Sequence, residues 1–215
     1  DSRDGQSKIF AVRYTPDGDN VTGVLQIIHG MAEHIERYEE FAQYMTDNGY
    51  VVTGECHLGH GKSVTTSSNL GFFHEKNGNE CVIGDIHQLR VTTEKKYPQL
   101  PYFMMGHSMG SFLLRQYLGN DNAGLSGALV MGTGEQPTFV VCAGKWVCSF
   151  LAAVKGWEHR SDFVNSFVTG GYEKKMGKAW LSRNEENVRR YAADPMSGFV
   201  FTLNGFYHMF DGMHR

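Results

Sequence analysis

Pro101-Tyr-Phe-Met-Met-Gly-His-Ser-Met-Gly-Ser-Phe-Leu-Leu-Arg-Gln-Tyr-Leu118 is the stretch on which the fold turns. It opens as an apolar run of strand type, closes as a helical run, and carries Gly106-His-Ser-Met-Gly110 between the two. A Gly-x-Ser-x-Gly between a strand and a helix is the nucleophile-elbow pattern. Glycines two residues either side of Ser108 let the backbone turn tightly against the helix, so the hydroxyl projects from the end of the sheet. The helix N-terminus then faces any charge that develops on a bound carbonyl oxygen.

Upstream, Gly23-Val-Leu-Gln-Ile-Ile28 is an apolar, β-branched run of buried-strand type that empties into His29-Gly-Met-Ala-Glu-His34. A strand followed by His-Gly suits an oxyanion loop. In serine hydrolases of this architecture one N–H comes from the residue after the nucleophile and the other from the loop after an earlier strand, which nominates the main-chain groups of Met109 and Met31. Cys56-His-Leu-Gly-His-Gly-Lys-Ser63 follows the strand-like Gly49-Tyr-Val-Val-Thr53. Cys56, His57 and His60 could be drawn as zinc ligands, but no spaced partner pair completes the set. The Gly-His-Gly reads instead as a tight turn at the pocket floor. Neither a metal nor another cofactor is expected.

Taken together these stretches resemble the lysophospholipase and monoacylglycerol lipase branch of the α/β-hydrolases. The resemblance is carried by Ile28-His-Gly-Met-Ala-Glu-His34 with Arg37-Tyr38, His57-Leu-Gly-His-Gly-Lys-Ser63, Gly71-Phe-Phe73, Gly106-His-Ser-Met-Gly110 and Asp194-Pro-Met-Ser-Gly-Phe199, and it runs through most of the chain. It implies a hydrolase with a lid over an acyl-binding cavity, acting on monoacylglycerols, lysophospholipids or similar carboxylic esters. It also implies that Glu33 and Arg37 border the polar end of the pocket, where a glycerol-like head would sit. A solvated ion pair at a helix start is the other reading of those two residues.

Two departures limit what carries over. Cys56 stands where the family usually has Asp before the His-x-Gly-His-Gly turn. The acid and base of an α/β-hydrolase follow the serine in chain order, in this family in a Gly-Asp-x-Asp-Pro type segment and a later His-Glu type segment. Neither segment occurs here, and the histidines after Ser108 are His159, His208 and His214. His208 and Asp211 are one helical turn apart on an expected helix from about residue 199 to 213, where a surface pair is expected, and Asp162 and Asp194 fall in the expected lid. The reading is therefore of a chain shorter than the functional protein, by on the order of 50 residues or two strand and helix units. Asp1-Ser-Arg-Asp-Gly5 likewise reads as the turn of an opening hairpin.

Composition narrows the partners. The 215 residues are 41% hydrophobic and 20% charged, ordinary for one globular domain with a good core, and a net charge of −3 with no basic run points away from nucleic acid. The expected partner is a small lipid ester. Neither a signal peptide nor an apolar stretch of about 18 residues is read from the sequence, so no membrane span is expected. Cys56, Cys81, Cys142 and Cys148 have no framework spacing, which favours free thiols in a reducing cytoplasm.

Strands are expected near 8–14, 23–29, 50–55, 101–107 and 126–132, with helices near 37–48, 79–96 and 109–119 between them. That alternation predicts an α/β-hydrolase fold, a mostly parallel sheet flanked by helices, with C-terminal strands and helices not in the chain. Residues 1–134 are read as the N-terminal part of the core, 135–198 as a helical lid, and 199–215 as a helix returning to the core. An apolar helix near 139–154 opens the lid, and Trp146, Phe150 and Trp157 suit transient contact with a lipid surface. Ester hydrolysis through an acyl-enzyme on Ser108 is the expected activity. A binding protein that kept the fold without the catalysis is an alternative, and so is a peptidase or acyltransferase on the same elbow.

Overall fold

The computed structural model describes residues 1–18, 20–120, 124–176 and 181–214. Strands β1 (Ala11–Tyr14), β2 (Gly23–Ile28), β3 (Tyr50–Glu55), β4 (Tyr102–His107) and β5 (Leu125–Met131) form one sheet in the order β1-β3-β2-β4-β5. β1 runs antiparallel to β3, and every other pairing is parallel. All six residues of β2 are buried, as its unbroken apolar pattern requires of a strand covered on both faces. Gln26, the polar exception, donates from Nε2 to the Ile86 carbonyl at 3.0 Å and accepts the Tyr102 hydroxyl at 2.7 Å, so its burial leaves neither end unpaired.

Helices α1 (Glu39–Asp47), α2 (Gly78–Lys96) and α3 (Met109–Asn120) flank the sheet. Alternate residues of β2 feed different cores. Leu25 and Ile27 pack with Ile35, Ala42 and Val52 on the α1 side, while Val24 and Ile28 pack with Val82, Leu114 and Phe206 on the other. This is the α/β-hydrolase fold. The register that matters for chemistry pairs Ile28 with Gly106, which brings the C-terminal ends of β2 and β4 side by side. The loops that leave those ends emerge together, where open parallel sheets place their ligands.

After β5 come α4 (Thr138–Lys155), α5 (Asp162–Met176), α6 (Glu185–Ala193) and α7 (Leu203–His214). α4 buries Val141, Cys148 and Ala152 and exposes Phe139, Trp146, Phe150 and Val154, the spacing of two opposite faces of one helix. Contrary to the sequence reading, its 18 residues, at mean hydropathy 1.4, are long and apolar enough to cross a membrane by length and composition. α4 instead packs on α7, and Lys145 pairs with Asp211 across that contact. Phe163 and Phe167 of α5 are also exposed, and an apolar recess of about 460 Å³ lies among Trp146, Val147, Phe150, Leu151 and Phe163.

α7 begins at residue 203 rather than near 199, because the Thr202 hydroxyl accepts the Gly205 N–H at 3.1 Å and caps the helix there. The expected surface pair on this helix is not one. His208 is buried, donating from Nε2 to the His74 carbonyl at 2.9 Å. At the other side of the sheet β5 is an edge strand with Leu129, Val130 and Met131 more than a third exposed. An apolar edge of this kind is a template for pairing with further strand.

Candidate active site

Ser108 sits at the junction of β4 and α3 with φ +53°, one of two non-glycine residues in the left-handed region among the described residues. For a side chain with a Cβ that conformation costs about 1–2 kcal/mol. Its surroundings hold it: the Ser108 N–H donates to Met131 O at 3.0 Å, and its carbonyl accepts the Ser111 N–H at 2.9 Å. The flanking glycines are there for lack of room. A Cβ on Gly110 would collide with Ile28 O, and one on Gly106 with Gly110 O. The elbow can therefore press against the end of β2 only without side chains at those two positions.

The loop 29–34 lies against it. A Cβ on Gly30 would reach Ser108 Cβ at 3.2 Å. Three successive peptide planes in this loop are fixed by different groups. Gly30 O accepts from His29 Nδ1 at 2.8 Å, which aims the opposite end of that plane, the Met31 N–H, the other way. The Ala32 N–H donates to His60 Nε2 at 3.4 Å. The Ala32 carbonyl accepts the Gly198 N–H at 2.9 Å and the Tyr191 hydroxyl at 3.2 Å. Ala32 is the second left-handed non-glycine, at φ +52°. Among the described residues neither the Met31 N–H nor the Met109 N–H has an acceptor. Two uncommitted donors beside a projecting hydroxyl can serve a developing oxyanion.

Glu33 ties the two parts together. Its Oε1 accepts the Gly30 N–H at 2.6 Å, the Tyr38 hydroxyl at 2.8 Å and His107 Nδ1 at 3.4 Å, and its Oε2 accepts Arg37 Nε at 3.3 Å. Burial alone would raise the carboxyl, but the hydrogen bonds from His107, Gly30 and Tyr38 outweigh it and hold the group below the usual carboxylate range. The Arg37 guanidinium lies 4.8 Å from the centroid of the Tyr191 ring. Glu33 and Arg37 thus form a partly buried pair, not a solvated one at a helix start.

Beneath the loop the His29 and His57 rings stack with centroids 3.9 Å apart, and the His60 ring is tilted against His29 at 5.1 Å. Burial pushes all three below the ordinary histidine value, His57 to about 4 and His60 to about 3. Neutral rings are what the hydrogen bonds need, because His29 Nε2 must accept the His57 N–H at 3.1 Å while its Nδ1 donates. Apart from His57 Nδ1, which lies 3.8 Å from Glu55 Oε1, these nitrogens are spent on the backbone, and no group of three metal-ligating side chains occurs among the described residues. Burial pushes the Cys56 thiol up, and the main-chain groups of Ile35 and Lys62 oppose the shift. Those are the donors a carboxylate at position 56 would accept.

The remaining candidates lie elsewhere. Asp194 accepts from His34 Nε2 at 2.7 Å and from Ser197 Oγ at 2.7 Å. His214 Nδ1 is 3.9 Å from Cys142 Sγ, and Asp162 opens α5. Among the described residues no histidine or carboxylate hydrogen-bonds the Ser108 hydroxyl. The sequence reading missed Tyr38, His107, Ala32 and the pairing of His34 with Asp194. Tyr38 and His107 sit inside motifs already quoted, but nothing in the linear pattern joins either to Glu33.

The chain is similar to known hydrolases of this fold. The family described as serine aminopeptidase, S33, matches residues 19–215. A monoglyceride lipase of Rattus norvegicus is 26% identical over 193 residues, 90% of this chain and 57% of the relative. A monoacylglycerol lipase of Mycolicibacterium smegmatis is 30% identical over 183 residues, 85% of this chain and 59% of the relative. The chain thus spans somewhat under three fifths of the length of these two relatives. A thermostable carboxyl esterase from Bacillus coagulans, solved with glycerol, superimposes with a TM-score of 0.88 at 29% identity, over 99% of this chain and 70% of that one. With an α/β-hydrolase sheet, an elbow at Ser108 and a family match over nearly its whole length, the chain belongs to the serine aminopeptidase, S33, family and is monoacylglycerol lipase-like within it.

Proposed function

We propose that this protein hydrolyses carboxylic esters through an acyl-enzyme on Ser108, with monoacylglycerols, lysophospholipids or similar monoacyl esters as substrates. The observation that carries the reading is Ser108 itself, held left-handed on the elbow beside the uncommitted N–H groups of Met31 and Met109. Ser108 Oγ adds to the ester carbonyl carbon and loses its proton to a base. The carbonyl electrons move onto oxygen, where the two N–H groups stabilise them. Collapse expels the alcohol with a proton, and water then cleaves the acyl-serine to free acid. The base is not assigned to any described residue.

Support for monoacylglycerol-type substrates comes from the monoglyceride lipases among the relatives. The exposed aromatics of α4 and α5 support a transient contact with the aggregate in which such substrates are held. A peptidase reading rests on the wording of the family description. An amide would meet the same elbow, so only substrates separate the two.

The test is a fluorophosphonate probe on the protein with its natural termini, the adduct mapped by mass spectrometry, alongside turnover of monoolein, lysophosphatidylcholine, triolein and an aminoacyl p-nitroanilide. Labelling at Ser108 and a loss of several powers of ten in kcat for Ser108→Ala are expected. Monoolein should be cleaved faster than triolein. Unchanged turnover in Ser108→Ala, or anilide cleavage faster than any ester, overturns the proposal, and a protein that binds monoolein without cleaving it would be the non-catalytic alternative.

A further inference from the structure

We infer that Tyr191 and Asp194, at the end of α6, are positioning residues that hold the oxyanion loop in working geometry from the cap side. The inference rests on the Ser108 reading above for its catalytic consequence. Of the three groups that fix the planes of this loop, His29 and His60 are wholly buried beneath it. The third belongs to the segment after β5. Gly198 and Tyr191 converge on the one carbonyl of Ala32, and the next ring along, His34, is held by Asp194.

The cap end of this contact is itself built to stay in place. Asp194 Oδ1 accepts the Met196 N–H at 2.9 Å and Oδ2 accepts the Ser197 hydroxyl at 2.7 Å, so the carboxylate that meets His34 is fixed within its own turn. The Tyr191 ring lies between Gly198 and the Arg37 guanidinium. Arg37 in turn pairs with Glu33, whose other oxygen holds the Gly30 N–H. The loop is therefore gripped on both sides of Met31.

Ala32 shows why a grip is needed. An alanine at φ +52° relaxes to negative φ unless its neighbours forbid it. Rotation there swings the Ala32 carbonyl off Gly198 and Tyr191 and drags the adjacent Met31 plane with it. Losing the cap contacts thus lets the loop leave the geometry in which the Gly30 carbonyl is turned to His29 and the Met31 N–H is left uncommitted. The cap then does more than cover substrate: its docking completes the oxyanion site.

The experiment uses the protein with its natural termini and the variants Tyr191→Phe, Asp194→Asn and the pair. Hydrogen exchange of residues 29–34 is read beside the rate of Ser108 phosphonylation by a fluorophosphonate and the kinetics on a short, soluble ester. Expected are a tenfold or greater rise in exchange of 29–34, a comparable fall in kcat and phosphonylation rate, and a KM within about twofold. Adding Ala32→Gly to the pair should recover at least threefold in kcat, because glycine adopts the left-handed region without the cap's help. A merely structural role would lower the melting temperature without that rescue. Unchanged exchange in well-folded variants overturns the inference, as does a fall in kcat that Ala32→Gly leaves untouched. If the wild-type protein does not phosphonylate at Ser108, the ester-hydrolase reading fails, and the exchange measurement still decides whether the cap holds the loop.

Discussion

Gly30 and Ser108 face each other across so small a gap that a Cβ on the glycine would lie 3.2 Å from the serine Cβ. The same added carbon would meet Glu33 Oε1 at 2.7 Å and His107 O at 3.3 Å. The loop 29–34, the elbow and the carboxylate that joins them are close-packed around a position with no side chain.

Gly30→Ala follows directly. The methyl group has nowhere to go, so the loop moves away from Ser108 or the Gly30 N–H leaves Glu33. Overpacking of this kind costs about 1–3 kcal/mol, and a displacement of about 1 Å at the reacting groups costs on the order of 100-fold in rate. Ester turnover and thermal melting of the variant should show both losses. A full kcat would mean that the loop does not contribute the oxyanion donor.

Glu33→Gln separates charge from connectivity. Its amide oxygen still accepts the Gly30 N–H and the Tyr38 hydroxyl, while the amide nitrogen now meets the Arg37 donor that Oε2 accepted. About a tenfold loss in kcat/KM is expected. Glu33→Ala strands a buried N–H, at about 1–3 kcal/mol, and should lose more than Gln does. Steady-state kinetics on one soluble ester decide it, and equal rates for Gln and Ala would remove the carboxylate from the site.

Stability should peak near neutral pH. The buried Glu55 carboxyl is pushed up to about 8 by burial, so between 4.5 and 8 the folded state keeps a proton that the unfolded state releases, and stability falls as pH rises through that window. His29, His57 and His60 are depressed by burial, so below 6.5 the unfolded state takes up protons that the fold refuses, and stability falls as pH drops. Each proton contributes a slope of about 1.4 kcal/mol per pH unit. Below 6.5 the three histidines outweigh the one carboxyl. Glu55→Gln should therefore raise the melting temperature at pH 8 and leave it unchanged at pH 4.5. A uniform shift across pH would refute the assignment.

Trp146 and Phe150 are 78% and 71% exposed on the outer face of α4. Aromatic residues of about 150–250 Å² each are costly to leave in water and favourable at a lipid boundary. Replacing both by serine should raise the apparent KM for monoolein in vesicles roughly tenfold. Turnover of a short soluble ester should stay within twofold. The same KM on vesicles for variant and wild type would show that this face does not meet lipid.

The strands and the elbow were legible from the linear pattern because they rest on local rules. Val24 to Ile28 alternates between two cores at a period of two, and Gly106 to Gly110 turns where glycine is the residue that fits. These follow from backbone sterics within a few residues of the motif. Local patterning also located α4. It did not supply the partners of the side chains around the elbow. Glu33 was read as part of a head-group pocket, and the fold spends its oxygens on Gly30, Tyr38, His107 and Arg37. His34 meets Asp194 and His208 meets the His74 carbonyl across long stretches of chain. Which face of α7 is buried depended on α4 packing against it. Such pairings arise when distant segments compete for the same buried acceptor, and that competition is settled only by where the sheet and the helices after β5 bring them.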